Sequence, residues 1–424
     1  MKLKDRVLAN LIEREIRRQK ETLDLIPSEN FPSEDILKIV GSPLMNKYSE
    51  GYPGKRYYPG NEYYDEIERL AQERALKAFG LKSSEWAVNV QPYSGSPANL
   101  EIYFALLNLG DTLIGMKLAS GGHLTHGHKV SISGRIYNSV QYGLDPKTNL
   151  LDYKEIEKLA RKYKPKIIIS GLTAYPRRID FEKFGKIAKK VGAYHMADIS
   201  HIAGLIAARV HPSPFLWSDV VMTTTHKTLR GPRGAVIFSR KAKIKKFTPF
   251  IPSPGLKKEL PLISEVIDKS VFPAIQGGPH NNVTAAIAEM FFEALQPSFK
   301  KYARQIVKNA KVLARELQKY GFKLLTGGTD NHLMLLDAAS VGLDGMTAER
   351  KLEMNGIIAN RNSLPNDTSP FRPSGVRLGT PALTTRGMKE KEMKKVAELI
   401  NAVLILGENV RLEVKKLCRR FPIE

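Results

Sequence analysis

Residues 220–238 read VVMTTTHKTLRGPRGAVIF. The β-branched apolar run ahead of the threonines predicts a buried strand, and Gly-Pro-Arg-Gly behind them predicts a turn. Lys227 therefore stands at the mouth of a buried strand, with His226, Arg230 and Arg233 beside it in sequence. A lysine attacks a carbonyl only as the neutral amine, a state that burial and neighbouring cations favour. Taken alone, a lysine at a strand end is more often a satisfied structural residue, so Lys227 has to be judged with its companions.

Working outward, 165–176 (PKIIISGLTAYP) predicts a strand, 180–193 a helix, 194–200 (YHMADIS) a strand and 219–227 another. Continuous apolar strands separated by helices predict an α/β fold, a mostly parallel sheet with helices on both faces. Functional groups in such sheets gather at the carboxyl ends of the strands. Asp198 and Lys227 both fall at such ends. Residues 1–20 carry a helical apolar stripe at Val7, Leu8, Leu11, Ile12 and Ile16. The basic, proline-containing stretch 241–262 predicts an exposed loop, and a long helical region begins near 281. The expected organisation is a helical arm over 1–45, a large domain over 46–280, and a linker helix with a smaller C-terminal α/β domain over 281–424.

The 424 residues are 42% hydrophobic and 26% charged, ordinary for a globular protein. No apolar run is long enough for a membrane span, and the charged N-terminus lacks a signal-peptide core. One cysteine, Cys418, excludes an intrachain disulfide framework and fits the cytoplasm. The net charge of +23 invites a nucleic-acid partner, but the cations read as interleaved with glutamate, so none is expected.

A pyridoxal phosphate site needs a lysine to hold the cofactor, a carboxylate at the pyridine nitrogen and a cradle for the phosphate. Lys227 and Asp198 fit the first two. Ser94-Gly95-Ser96, leading into an amphipathic segment, fits the third, with Ser96 as N-cap and Pro97 as first helical residue, because a helix N-terminus favours an anion.

Seven segments, EGYPGKRYYPG, GGHLTHG, MADISHIAGLIA, TTTHKTLRGPRG, QGGP, GGTDNHL and SGVRLGTPA, occur in that order and resemble serine hydroxymethyltransferase over about residues 10–405. The resemblance implies a fold-type I pyridoxal phosphate enzyme that exchanges serine and glycine while moving a one-carbon unit onto a reduced pterin. It implies Lys227 as the cofactor's covalent anchor, Asp198 at the pyridine nitrogen and His123 on the ring. His201 and Thr173 would meet the phenolic oxygen or the substrate, with His226 also at the cofactor. Ser94, Gly95 and Ser96 would hold the phosphate, joined by Tyr48, Gly277 and Gly278 from a second subunit of a homodimer. Arg377 and Ser28 would bind the amino-acid carboxylate, and Glu50 would transfer a proton beside Tyr57 and Tyr58. Leu118, Gly122, Leu124, Asn362, Ser369, Pro370 and Phe371 match the pterin region.

The chain departs from the family pattern at Pro97, Ser120, Ala274 and Ile275, and in a longer 241–262 segment. These departures leave the carrier open between tetrahydrofolate and an acidic relative such as tetrahydromethanopterin. A threonine or allo-threonine aldolase shares the lysine, aspartate and arginine but has no use for Asn362 or the Ser-Pro-Phe segment. An RNA-binding protein on a dead scaffold has no use for Lys227 beside Asp198. The triplet His123, His126 and His128 matches no zinc spacing, and no metal is expected.

Overall fold

Ile167–Gly171 is buried along its whole length, and so is Val220–Thr224, as strands covered on both faces must be. These belong to a seven-stranded sheet in the computed structural model, which describes residues 3–249, 260–365, 367 and 372–423. In chain order the strands are β1 (Trp86–Asn89), β2 (Thr112–Met116), β3 (Asn138–Tyr142), β4 (Ile167–Gly171), β5 (Tyr194–Asp198), β6 (Val220–Thr224) and β7 (Ala235–Arg240). Across the sheet they run β1-β7-β6-β5-β4-β2-β3, with β7 alone antiparallel to its neighbours. The register sets Asp198 against Gly171 on one side and Met222 on the other, at the carboxyl end of β5.

The helices start and stop where the sequence signals. Asp152 caps Tyr153–Tyr163 by accepting from the N–H groups of Lys154 and Glu155. Asp180 caps Phe181–Val191 through Lys183 N–H, and Gly192 ends it in the left-handed region at φ 74°. One boundary differs from expectation. The helix Gly95–Leu106 begins two residues before Pro97, with Ser94 as the N-cap in extended backbone at φ −167°. Its first helical bond, Ala98 N–H to Ser94 O at 3.0 Å, decides this. Pro97 still sits in the first turn, where its missing N–H costs no intrahelical bond. The long helical region divides into Asn281–Ala294 and Pro297–Lys319, the second opening on proline.

The chain divides into two compact units: Pro32–Thr173 with Arg178–Ala303, holding the large sheet, and Met1–Phe31, Ala174–Arg177 and Arg304–Glu424. The second unit has an antiparallel sheet of β8 (Lys323–Leu324), β9 (Leu333–Asp337), β10 (Asn360–Asn362) and β11 (Gly375–Gly379), ordered β8-β9-β11-β10. Within it the N-terminal helix Arg6–Glu21 buries only Ala9, leaving Val7, Leu8, Leu11 and Ile16 exposed. Arg386 ties the N- and C-terminal segments of this unit, donating to the carbonyls of Thr22, Lys20 and Cys418. No helix of the described residues is long and apolar enough to cross a membrane.

Glu101, on Gly95–Leu106, is fully buried, and neither carboxyl oxygen has a hydrogen-bond partner. Burial pushes its carboxyl from 4.5 up to about 8. The folded state keeps the proton up to about pH 8, whereas the unfolded chain releases it near 4.5. The contribution to stability is therefore whole below about 4.5 and falls by about 4 to 5 kcal/mol as pH rises to 8. Glu101→Gln is expected to flatten this slope and raise the unfolding midpoint at pH 8. Equal midpoint–pH curves for the two proteins would refute it.

Candidate active site

The carboxyl ends of β5 and β6 face the N-terminus of Gly95–Leu106, and a cavity opens there. It is lined by Lys227, Asp198, His123, His201, Thr173 and Gly95, together with Asn99, His126, Leu172, Ser200 and Thr224. Gly95 makes the approach possible: a Cβ there would stand 2.7 Å from Thr224 Cγ2. The helix N-terminus therefore sits hard against the strand end that precedes the lysine, with first-turn N–H groups that have no helical acceptor.

One hydrogen-bonded path crosses the cavity. His126 Nδ1 accepts from His123 N–H at 3.3 Å, so His126 carries its proton on Nε2 and donates it to Asp198 Oδ2 at 2.9 Å. Asp198 Oδ1 accepts from Ser200 Oγ at 2.6 Å and Ser200 N–H at 3.1 Å. Ser200 Oγ in turn accepts from Thr224 N–H at 3.1 Å. Lys227 Nζ donates to Thr224 Oγ1 at 3.1 Å. Burial by itself would raise the Asp198 carboxyl, but the bonds from His126 and Ser200 outweigh it and hold the group well below the usual carboxylate range. Asp198 is thus a buried, ionised carboxylate. Gly171 gives it room, since a Cβ there would meet Asp198 Cβ at 2.6 Å.

His123 is neutral. Burial, reinforced by His126, brings it from 6.5 down to about 4. Its Nδ1 accepts from Thr125 N–H at 3.2 Å and lies 2.7 Å from Thr125 Oγ1. Thr173 donates its hydroxyl to the carbonyl of Gly122 at 2.9 Å, holding the Gly121–Gly122 turn to the cavity wall. Gly122 is obligatory, as a Cβ would lie 2.1 Å from Met116 O. Leu118 is half-buried and Leu124 exposed on the same turn.

The cations expected to surround Lys227 are arranged otherwise. Burial, then Lys227 and Arg233, lowers His226 to about 3, so it contributes no charge near neutral pH. Arg230 points to Glu293 at 3.5 Å and stacks over the Tyr302 ring. Arg233 approaches His226 Nε2 at 3.4 Å, while His226 Nδ1 is buried without a hydrogen-bond partner.

A second cluster in the same unit holds Tyr48, Glu50, Tyr57, Tyr58, Gly277 and Gly278, none of which lines the cavity. Tyr48 packs on Tyr58 with ring centroids 5.2 Å apart, and a Cβ on Gly278 would stand 3.1 Å from the Tyr48 ring. A Cβ on Gly277 would stand 3.2 Å from Glu50 Oε1. Tyr93, next to Ser94, joins the same group by donating its hydroxyl to Gly278 O at 2.7 Å.

The other unit carries Ser28, Asn362 and Arg377. Arg377 Nε donates to Asn360 Oδ1 at 3.1 Å on the neighbouring strand. Burial lowers its guanidinium to about 10, with Glu29 acting against that. Asn362 Nδ2 donates to Ser363 O at 2.7 Å. Ser369, Pro370 and Phe371 lie outside the described residues. Among the described residues no group of three His, Cys, Asp or Glu side chains is placed to hold a metal.

Asn99, His126, Ser200 and Thr224 were not foreseen as site residues. His126 was visible only as a histidine three after His123, and Ser200 as a serine two after a strand-end aspartate, a common local turn.

The donor set fits pyridoxal phosphate: an amine on a strand end, an ionised buried carboxylate, a neutral imidazole and an open helix N-terminus, all on one cavity. Gly95→Ala is expected to push that N-terminus off Thr224 and weaken cofactor binding about tenfold, a loss of about 1.4 kcal/mol. An absorbance titration with the cofactor reads this directly, and unchanged affinity would show that the close approach is not required. Residues 1–400 match the family model described as serine hydroxymethyltransferase.

Proposed function

The chain belongs to the serine hydroxymethyltransferase family, and from that premise we propose how its residues divide the work and which carrier it serves. The family is pyridoxal phosphate-dependent, interconverts serine and glycine, and moves the one-carbon unit to a folate-type pterin. Pyridoxal phosphate, when bound, supplies an electron sink for the negative charge left on the substrate's α-carbon.

In our reading Lys227 would hold the cofactor covalently, and its amine is the group on this cavity placed to carry a proton. Asp198 keeps a fixed negative charge at the pyridine nitrogen, and His126 and Ser200 keep it ionised. His123, neutral, packs on the ring, with His226, Thr173 and His201 around it. Ser94, Gly95 and Ser96 receive the phosphate, joined by Tyr48, Gly277 and Gly278 of a partner copy in a homodimer. Support for the dimer comes from the exposure of Tyr48 and of the apolar stripe on Arg6–Glu21. Arg377 and Ser28 hold the substrate carboxylate, a task that suits a forked guanidinium. Glu50 moves a proton at the substrate hydroxyl, with Tyr57 and Tyr58 beside it. The path His126–Asp198–Ser200–Thr224–Lys227 is the observation that carries this reading.

For the carrier we take an acidic modified pterin such as tetrahydromethanopterin over tetrahydrofolate. The support is Ser120, a departure from the family pattern that is buried beside the Gly121–Gly122 turn. Leu118, Gly122, Leu124, Asn362 and the Ser369–Phe371 segment belong to the same reading, and so does a cytoplasmic location. Serine cleavage should be measured with each carrier and with neither. Faster cleavage with the acidic pterin is expected. A clear folate preference would overturn the carrier, and cleavage indifferent to any pterin would favour the aldolase.

A further inference from the structure

The positive charge of this chain is not evenly spread. Residues 153–249 hold 21 Lys and Arg against 6 Asp and Glu, net +15 of the chain's +23. The Lys227 site uses little of it, and the fold gathers much of the remainder at one edge of the large sheet.

That edge is the amino-terminal end of the parallel strands, opposite the cavity. Tyr153–Tyr163 and Phe181–Val191 precede β4 and β5, so their basic C-termini, with Lys162, Lys164, Lys189 and Lys190, come out there. Lys166 opens onto β4, with its N–H on Thr112 O at 2.8 Å and its carbonyl taking Tyr194 N–H at 2.8 Å. Because β7 is antiparallel, its outgoing chain emerges at the same edge. Arg240 N–H reaches Asp219 O at 3.0 Å and Lys241 N–H reaches Glu85 O at 2.8 Å. The following residues run back along the edge. Lys245 Nζ lies 5.0 Å from the Tyr194 ring, Lys166 Nζ lies 4.4 Å from the Phe247 ring, and the two rings are 5.5 Å apart.

Lys162, Lys164, Lys189, Lys190, Lys241, Lys243 and Lys246 are exposed along this rim, with Lys166 and Lys245 half-buried. Among the described residues the acidic groups at the same edge are few. Glu157 is engaged by Arg161 and Lys190, Asp219 accepts from His195 N–H, Asp111 accepts from Asn108 N–H, and Glu85 stands 3.9 Å from Lys82. Helix dipoles explain basic residues in the last turns of the two helices. They do not explain Lys164, Lys166, Lys241, Lys243, Lys245 and Lys246, which lie beyond both helices.

We propose that this lysine rim, facing away from the catalytic cavity, is a docking strip for the phosphate backbone of a single-stranded RNA. Protein interfaces are depleted in lysine and anchored on Trp, Tyr and Arg, whereas flexible lysine point charges neutralise phosphates without reading sequence. Tyr163, 40% exposed with Lys162 Nζ 5.0 Å from its ring, offers a surface on which a base can stack.

The test uses the cofactor-loaded enzyme and a fluorescent oligouridine of about 20 nucleotides, followed by anisotropy between about 50 and 200 mM salt. A fluorescent poly-glutamate of similar length serves as the competing polyanion. Binding is expected at low salt, with log K falling against log salt at a slope of about −3, as about four neutralised phosphates require. Lys162→Glu/Lys164→Glu/Lys189→Glu/Lys246→Glu should weaken it about tenfold or more and flatten the slope. Lys300→Glu/Lys301→Glu/Lys391→Glu/Lys394→Glu, with the same net charge, should weaken it about twofold. Serine cleavage and the melting midpoint should be unchanged in both. If the rim variant fails to fold, Lys164→Gln/Lys246→Gln carries the same comparison. Equal losses in the two charge-reversal variants would overturn the proposal, as would no binding at low salt. Equally tight poly-glutamate binding would overturn it in favour of an acidic protein partner.

Discussion

Lys227→Ala is expected to fold normally and to lose serine cleavage by about a thousandfold or more. The stability side follows from what the side chain touches. Lys227 is half-buried, and its amine donates to Thr224 Oγ1 at 3.1 Å, a hydroxyl on the cavity wall rather than in the core. The change in unfolding free energy should therefore stay within about 1 kcal/mol. The activity side follows from the loss of the only side chain on that cavity able to act as an amine nucleophile. Lys227→Arg sharpens the test, because guanidinium keeps the charge but does not deprotonate, and it should be as inactive as alanine. Both variants should also lose the visible absorbance of the covalently held cofactor. Cleavage retained at more than about a tenth of the parent rate would remove Lys227 from its role.

Arg56→Met should be the most destabilising single change at the second cluster. The Arg56 side chain is 4% exposed and makes four charge-assisted bonds. Nε donates to Asp65 at 2.8 Å and one terminal nitrogen to Glu68 at 2.6 Å. The other reaches the carbonyls of Ser49 and Gly51, both at 2.8 Å, which flank Glu50. Glu68 is as buried as its partner, and burial already pushes its carboxyl up against the pull of Arg56. Removing the arginine strands that acid, which costs about 3 to 5 kcal/mol and lowers the unfolding midpoint by about 5 to 9 °C. Arg56→Lys should recover little, since one ammonium cannot serve four acceptors spread around a fork. The same clamp fixes the backbone on both sides of Glu50, so activity should fall even where the variant is folded. Thermal unfolding near parent values would show that the network contributes no stability.

The parts of this protein that were legible in its sequence are those whose cause is local. Apolar β-branched runs such as 167–171 and 220–224 announce buried strands, because a strand covered on both faces has no polar side to show. Asp152 and Asp180 announce helix starts, because a capping carboxylate acts on N–H groups two or three residues on. Even the meeting of Asp198 with Lys227 was readable, since parallel strands joined by helices must bring their carboxyl ends to one side. The start of Gly95–Leu106 lies two residues before the one that Pro97 suggests: proline suits any position of a first turn, and only the bond from Ala98 N–H to Ser94 O distinguishes them.

What only the tertiary structure decided depends on which strands become neighbours. His126 comes to Asp198 from 72 positions away, and Ser200 meets Thr224 N–H from 24 away, through strand pairing that no local pattern encodes. The ionised state of Asp198 follows from those partners, and the neutral state of His226 from burial beside Lys227 and Arg233. The lysines of 162–166 and 241–246 are far apart in sequence, and only the antiparallel course of β7 brings them to one edge. Local periodicity chose the elements of this chain, and long-range pairing chose their neighbours. Charge and proton affinity belong to neighbours, so the chemistry of the site became visible only once the sheet was assembled.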